Sequence, residues 1–251
     1  ASLDNWENNS KARTFLANWF LNYKLADGLS YRTEYGINSI NNNDASYLSS
    51  IIDSNGEARA FSSAGSRNSW NFKNLLNYRN TFGKHRLDVL AGVEASKNTI
   101  KVNNIRGTGF SNSTLKTPQD AAVVESYYNE SAKTFLSILG RVNYDFDGKY
   151  LLSVTARRDG SSVFGRNKRW GLFPAVSLGY NISEEPFFDG IKETVNYLKL
   201  RASYGVSGNA EIGNYAWAST YAQANYNGAS GITLANIGDD ELGWELSLIH
   251  I

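Results

Sequence analysis

From Phe15 onward every second residue is apolar or aromatic: Phe15, Ala17, Trp19, Leu21, Tyr23 and Leu25 fall on one side of an extended chain. Side chains of a strand alternate between its two faces, so this pattern specifies a β-strand and not a helix. Asp27-Gly28 follows as a two-residue turn, a pair that accepts the positive φ of tight hairpins. The chain then returns through Leu29, Tyr31, Thr33, Tyr35 and Ile37 with Ser30, Arg32, Glu34 and Asn38 on the other side. The same unit recurs with turns near Gly83-Lys84 and at Asp147-Gly148. The spacing predicts eight strands, at 14–26, 29–38, 68–81, 86–97, 134–146, 150–158, 169–182 and 197–206.

The connections alternate in length. Those at 27–28, 83–85 and 147–149 are very short and 183–196 is moderate; 39–67, 98–133 and 207–243 are long and polar, with 159–168 a shorter member of that second set. Short turns on one rim and long loops on the other characterise barrels of the outer-membrane type, and structureless loops beyond about 12 to 15 residues are uncommon in compact domains. Charges sit well inside the strands on the polar side, among them Arg32, Glu34, Lys73, Asp88, Glu94, Arg141, Asp145, Arg157 and Arg201. A solvated lumen accepts them, but so does the wet face of an ordinary antiparallel sheet. Alternation alone leaves both architectures open.

Composition removes whole classes of function. The 251 residues contain no cysteine, which excludes disulfide frameworks, thiolate zinc sites and cysteine nucleophiles. A formal net charge of +1, from 25 basic and 24 acidic residues, provides no global field for nucleic acid. No apolar run reaches the roughly 18 residues of a transmembrane helix. The opening "ASLDNWENNSKARTF" shows neither a basic nor an apolar leader region, so the chain reads as a cytoplasmic protein or a piece of something longer.

One region carries a more specific signal. It contains Gly140-Arg141-Val142-Asn143-Tyr144, Asp147-Gly148-Lys149-Tyr150-Leu151-Leu152, Arg157-Arg158-Asp159-Gly160-Ser161-Ser162, Phe164-Gly165, Trp170-Gly171 and Phe173-Pro174. Leu198-Lys199-Leu200-Arg201-Ala202-Ser203-Tyr204-Gly205, Gly208-Asn209 and Ile212-Gly213-Asn214-Tyr215 follow. In order and spacing these blocks resemble the barrel of SusC/RagA-like TonB-dependent transporters of the Bacteroidetes outer membrane, densely over 133–245 and as pattern only over 1–132. The resemblance implies an all-β, antiparallel up-and-down meander, here about eight strands of a larger plugged transmembrane barrel with long extracellular loops. It also implies a passive wall in an importer of oligosaccharides or peptides, capped by a SusD-like lipoprotein and energised through the TonB complex. Outer-membrane lipid is then a partner, and nucleic acid is not. Against that family the chain is expected to be a fragment over 1–251, without plug domain or closing strands, and 246–251 departs from the pattern like a foreign tail.

Little in the chain suggests catalysis, and neither enzyme activity nor a cofactor is expected. The two histidines are His85, in a turn, and His250, near the end; both read as surface residues. Asp145-x-Asp147-Gly148 begins like a calcium loop, but the ligands do not continue into "KYLLSV", so it reads as a turn. Gly107-Thr108-Gly109 lacks the strand and helix of a phosphate loop. The cluster Arg157, Arg158, Arg166, Lys168 and Arg169 reads as a solvated rim or as cations for lipopolysaccharide phosphates or loop carboxylates. Tyr215, Trp217, Tyr221 and Tyr226, among Asn, Gly and Ser, are the candidate ligand or partner loop: flat rings with amide neighbours suit sugars and protein surfaces alike. A soluble or surface-displayed carbohydrate-binding β-domain and an uncoupled porin-like channel are the competing readings.

Overall fold

The computed structural model describes residues 5–250, without the side chains of residues 249 and 250. Among the described residues there are eleven strands: β1 (Trp6–Ala26), β2 (Leu29–Leu48), β3 (Arg59–Phe82), β4 (His85–Thr108), β5 (Val123–Phe146), β6 (Tyr150–Ser161), β7 (Trp170–Asn181), β8 (Lys199–Asn209), β9 (Thr220–Tyr226), β10 (Ala229–Asn236) and β11 (Glu245–His250). Nine form one sheet in the order β1-β2-β3-β4-β5-β6-β7-β8-β11, and β9 pairs with β10 as a separate hairpin. Each strand through β8 neighbours its predecessor in sequence, which is the expected meander.

The strands outrun their hydropathic signal. The stretches 39–67 and 98–133, expected as loops, shrink to 49–58 and 109–122 because β2, β3, β4 and β5 are 20 to 24 residues long. Polar side chains hold these extensions: Ser39 Oγ donates to Asn68 Oδ1 at 2.7 Å and Ser63 Oγ to Asn104 Oδ1 at 2.7 Å. Backbone pairing needs no apolar face, so hydropathy leaves no mark there. The 207–243 connection holds the β9–β10 hairpin, turned at Asn227-Gly228 with φ of 49° and 82°. The last strand pairs with β8, placing Leu246 opposite Gly208 and Leu248 opposite Val206. Of the tail set apart at 246–251, residue 251 and the side chains of residues 249 and 250 lie outside the described residues.

Two compact units divide the chain. One comprises Ala1–Asn18, Gly36–Trp70 and Lys97–Ala132, the turn-distal parts of β1 to β5. Its buried centre is Tyr47 and Ala60, with Phe110 set edge-on against Tyr47 at 5.7 Å. The other comprises Trp19–Tyr35, Asn71–Ser96 and Lys133–Ile251. Its turns are tight: a side chain at Gly28 (φ 77°) would lie 2.4 Å from the Arg79 carbonyl oxygen, which only glycine avoids.

Candidate functional site

In the second unit the register of β5 to β8 sorts side chains by chemistry. Directly opposed residues of an antiparallel pair share a face. Asn143, Ser153, Ser177 and Ser203 therefore form one cross-strand row, and Arg141, Thr155, Ala175 and Gly205 form the next. The reverse face carries Tyr144, Leu152, Leu178 and Ala202 in one row and Val142, Val154, Val176 and Tyr204 in another. The apolar side chains are uncovered: Leu178 is 57% exposed and Leu200 58%.

On the polar face the charges are paired into a ladder. Lys73 Nζ lies 3.6 Å from Glu94, which meets the Arg157 guanidinium at 3.0 Å; Arg157 Nε donates to Asp159 at 2.7 Å and its terminal nitrogen to Ser137 Oγ at 2.9 Å. Lower on the same face the Arg79 guanidinium donates to Asp88 at 2.6 and 2.9 Å. A cavity of about 340 Å³ there is lined by Asp88, Asp145, Ser177, Lys199 and Arg201 among others. Such a surface offers paired charges and hydroxyls to polar solutes, and among the described residues no histidine lines it. Among the described residues no group of three or more His, Asp or Glu side chains could hold a metal ion.

Aromatic rings bound the apolar face. At the turn end His85, Phe146, Tyr150 and Tyr180 follow one another at centroid distances of 4.9, 6.2 and 5.1 Å. The Tyr150 hydroxyl and Lys149 Nζ donate to Glu185 at 2.8 and 2.9 Å. The Lys149 ammonium, with the Tyr150 hydroxyl next, holds the Glu185 carboxyl below its usual range, and Glu185 raises Lys149 in return. His85 Nδ1 lies 2.6 Å from the Tyr144 hydroxyl. Away from the turns, Trp19, Tyr35 and Phe72 form a second row at 6.1 and 6.3 Å. The acidic turn is spent locally: Asp145 accepts from the Gly148 N–H at 2.8 Å and Asp147 from Lys84 at 2.7 Å, a contact that lowers the Asp147 pKa.

The loop after β6 is the best-packed part of this unit. Ser161, Val163 and Phe164 are buried, Phe164 completely, and Trp244 packs between Phe164 and Phe173 at 4.7 and 5.0 Å. A side chain at Gly165 would meet the Asp240 carbonyl oxygen at 2.1 Å, so this backbone contact requires a glycine. Trp217 Nε1 donates to the Ser162 carbonyl at 3.1 Å, under the guanidinium groups of Arg166 and Arg169 at 5.8 and 5.4 Å.

The four aromatic candidates are not gathered into one site. Trp217 is half-buried in that platform, and Tyr215 occupies a left-handed turn (φ 62°) whose carbonyl accepts from Ala218 N–H at 2.9 Å. Tyr221 pairs with Leu234 and Tyr226 with Ala229, an odd and an even position of β9, so they lie on opposite faces of the hairpin. The Asn227-Gly228 turn between alternating residues was a readable sign of that hairpin. Sequence reasoning also missed Trp244 and Phe164 as the loop's anchor.

Comparison with known proteins decides the family. The model described as "TonB dependent receptor-like, beta-barrel" matches residues 2–247. The chain belongs to that family. It is 33% identical over 236 residues to TonB-dependent receptor P39 of Formosa agariphila, covering 90% of this chain and 22% of the relative. With TonB-dependent receptor SusC of Bacteroides thetaiotaomicron it shares 32% identity over 154 residues, 60% of this chain and 15% of the relative. The structure of the RagAB peptide transporter superposes with a TM-score of 0.87 over 98% of this chain and 28% of the other, at 24% identity. The chain thus spans about a quarter or less of these relatives. Within that family, the segment has one uncovered apolar face and one face that carries the charged ladder.

Proposed function

We propose that the chain is a fragment of the wall of an outer-membrane transporter that imports oligosaccharides or peptides through TonB, together with a SusD-like surface lipoprotein. The observation that carries this reading is the two-faced sheet: an uncovered apolar band bounded by aromatic rows, backed by paired charges. A hydrated interior stabilises the ladder, and lipid covers the band. The likeness to SusC and to the RagAB peptide transporter supports the partner and substrate classes. Force transmitted by TonB to a plug would come from parts outside this segment. Tyr215, Trp217, Tyr221 and Tyr226 then belong to a loop that meets substrate or lid.

The absence of cysteine from this segment gives a direct test, once any cysteine elsewhere in the gene product has been replaced by serine. In membranes carrying the complete gene product, Cys at Ser177 and Ser203 reacts with a water-soluble maleimide, whereas Cys at Val176 and Ala202 reacts only with a lipid-soluble one. Equal labelling in a protein that stays soluble without detergent supports the carbohydrate-binding domain instead. Uptake that persists without TonB supports the uncoupled channel.

A further inference from the structure

We propose that Arg158, braced by Trp170, binds a phosphate group of a glycolipid in the outward leaflet of the membrane; this rests on the outer-membrane reading above. Arg158 lies opposite Ile138 on β5 and Leu172 on β7, so it belongs to the lipid-facing side. Within the paired register of β5 to β8 it is the one charged side chain on that face. It is exposed, and no acidic partner reaches it among the described residues; neighbouring Asp159 turns to the other face and pairs with Arg157 at 2.7 Å.

Its depth fits the role. Along β6, Arg158 is eight residues beyond Tyr150 of the turn-end aromatic row. At about 3.3 Å per residue that is about 26 Å of strand, or about 20 Å along the membrane normal for a tilt of about 40°. An apolar band is about 25 Å tall, so the Arg158 backbone stands about 5 Å inside the opposite boundary, a depth from which its long side chain reaches the headgroups of the leaflet on the loop side. Trp170, opposite Gly160 and two residues further on, stands at that boundary, as interfacial tryptophans do. Trp170 pairs with Gly160, whose missing side chain leaves room for the ring; a Cβ there would lie 2.9 Å from it. The Arg158 guanidinium sits 4.9 Å from the Trp170 ring centroid, which holds its planar fork in place. A cation at a lipid boundary is stable when an anion neutralises it, and the guanidinium fork matches two phosphate oxygens.

The test uses the complete transporter in nanodiscs of phosphatidylethanolamine, alone or with diphosphoryl lipid A or phosphatidylglycerol at equal charge. Native mass spectrometry should show lipid A retained in preference to phosphatidylglycerol. Arg158→Gln should weaken that retention about tenfold, the scale of one charge-assisted contact. Trp170→Leu should weaken it less, and the exposed Lys192→Gln should leave it unchanged. Equal lipid A retention by Arg158→Gln overturns the proposal, as does a preference for phosphatidylglycerol. Failure of every variant to enter any bilayer overturns the outer-membrane reading itself, so the two failures are distinguishable.

Discussion

Phe164 and Leu178 are both large apolar residues, yet one is fully buried and the other is 57% exposed. The first belongs to the loop platform, where Trp244 packs on it, Phe173 backs Trp244, and the Gly165 and Asn167 N–H groups beside it donate to the Leu242 and Asp240 carbonyls. The second belongs to the wall, where neighbouring strands cover only its edges. The platform supplies its own solvent-free core, and the wall leaves its apolar side chains uncovered by the chain itself. Substituting residues of each kind should therefore fail in different ways.

The largest effect is expected in the platform. Phe164→Ala removes a completely enclosed ring and should cost about 3–5 kcal/mol of local stability. Amide hydrogen exchange of 161–168 and 240–244 should rise sharply while β6 and β7 below remain protected. If exchange rises uniformly along the wall, platform and wall are one cooperative unit and the distinction falls.

Next comes the wall. Val176→Arg places a charge in the lipid-facing band and should cost about 2–4 kcal/mol near the midplane. Ser177→Arg, one residue on, points to the hydrated face and should cost far less. Urea unfolding in vesicles measures both; equal losses would remove the assignment of the two faces.

Smaller still is the ladder. A double-mutant cycle on Glu94→Gln and Arg157→Gln should give a coupling of about 1 kcal/mol or less, because both groups remain partly hydrated. A much larger value would mean that this face is dry.

The smallest effect is a pH dependence at the turn end. Glu185 has a carboxyl pKa lowered below 4.5, chiefly by Lys149 and then by Tyr150. A depressed carboxylate contributes its stabilisation above the unfolded pKa and loses it as pH falls through the folded one. Thermal midpoints should thus decline below about pH 4.5 in the wild type, and less steeply in Glu185→Gln. Parallel curves would show that the contact is idle.

The same contrast explains what could be read without a structure. Where one face is apolar and the other polar, as from Val142 to Ala156, alternation is forced and the strand is plain in the sequence. Where both faces are wet, as in the extension "INNNDAS" of β2, any polar residue serves and the strand leaves no period. The platform was illegible for another reason. Phe164, Trp217 and Trp244 are far apart in the chain, and each looks like a lone loop aromatic until folding brings them together. The division between Tyr221 and Tyr226 follows from hairpin register, which needs the turn to be recognised first.

The β9–β10 hairpin lies between two strands, β8 and β11, that pair with each other without it. Its Asn227-Gly228 tip has no neighbour within 4 Å of a Cβ built at Gly228. For protein engineering this is a natural splice point: an epitope or reporter peptide inserted there would be carried on a stem that stands outside the β8–β11 pairing.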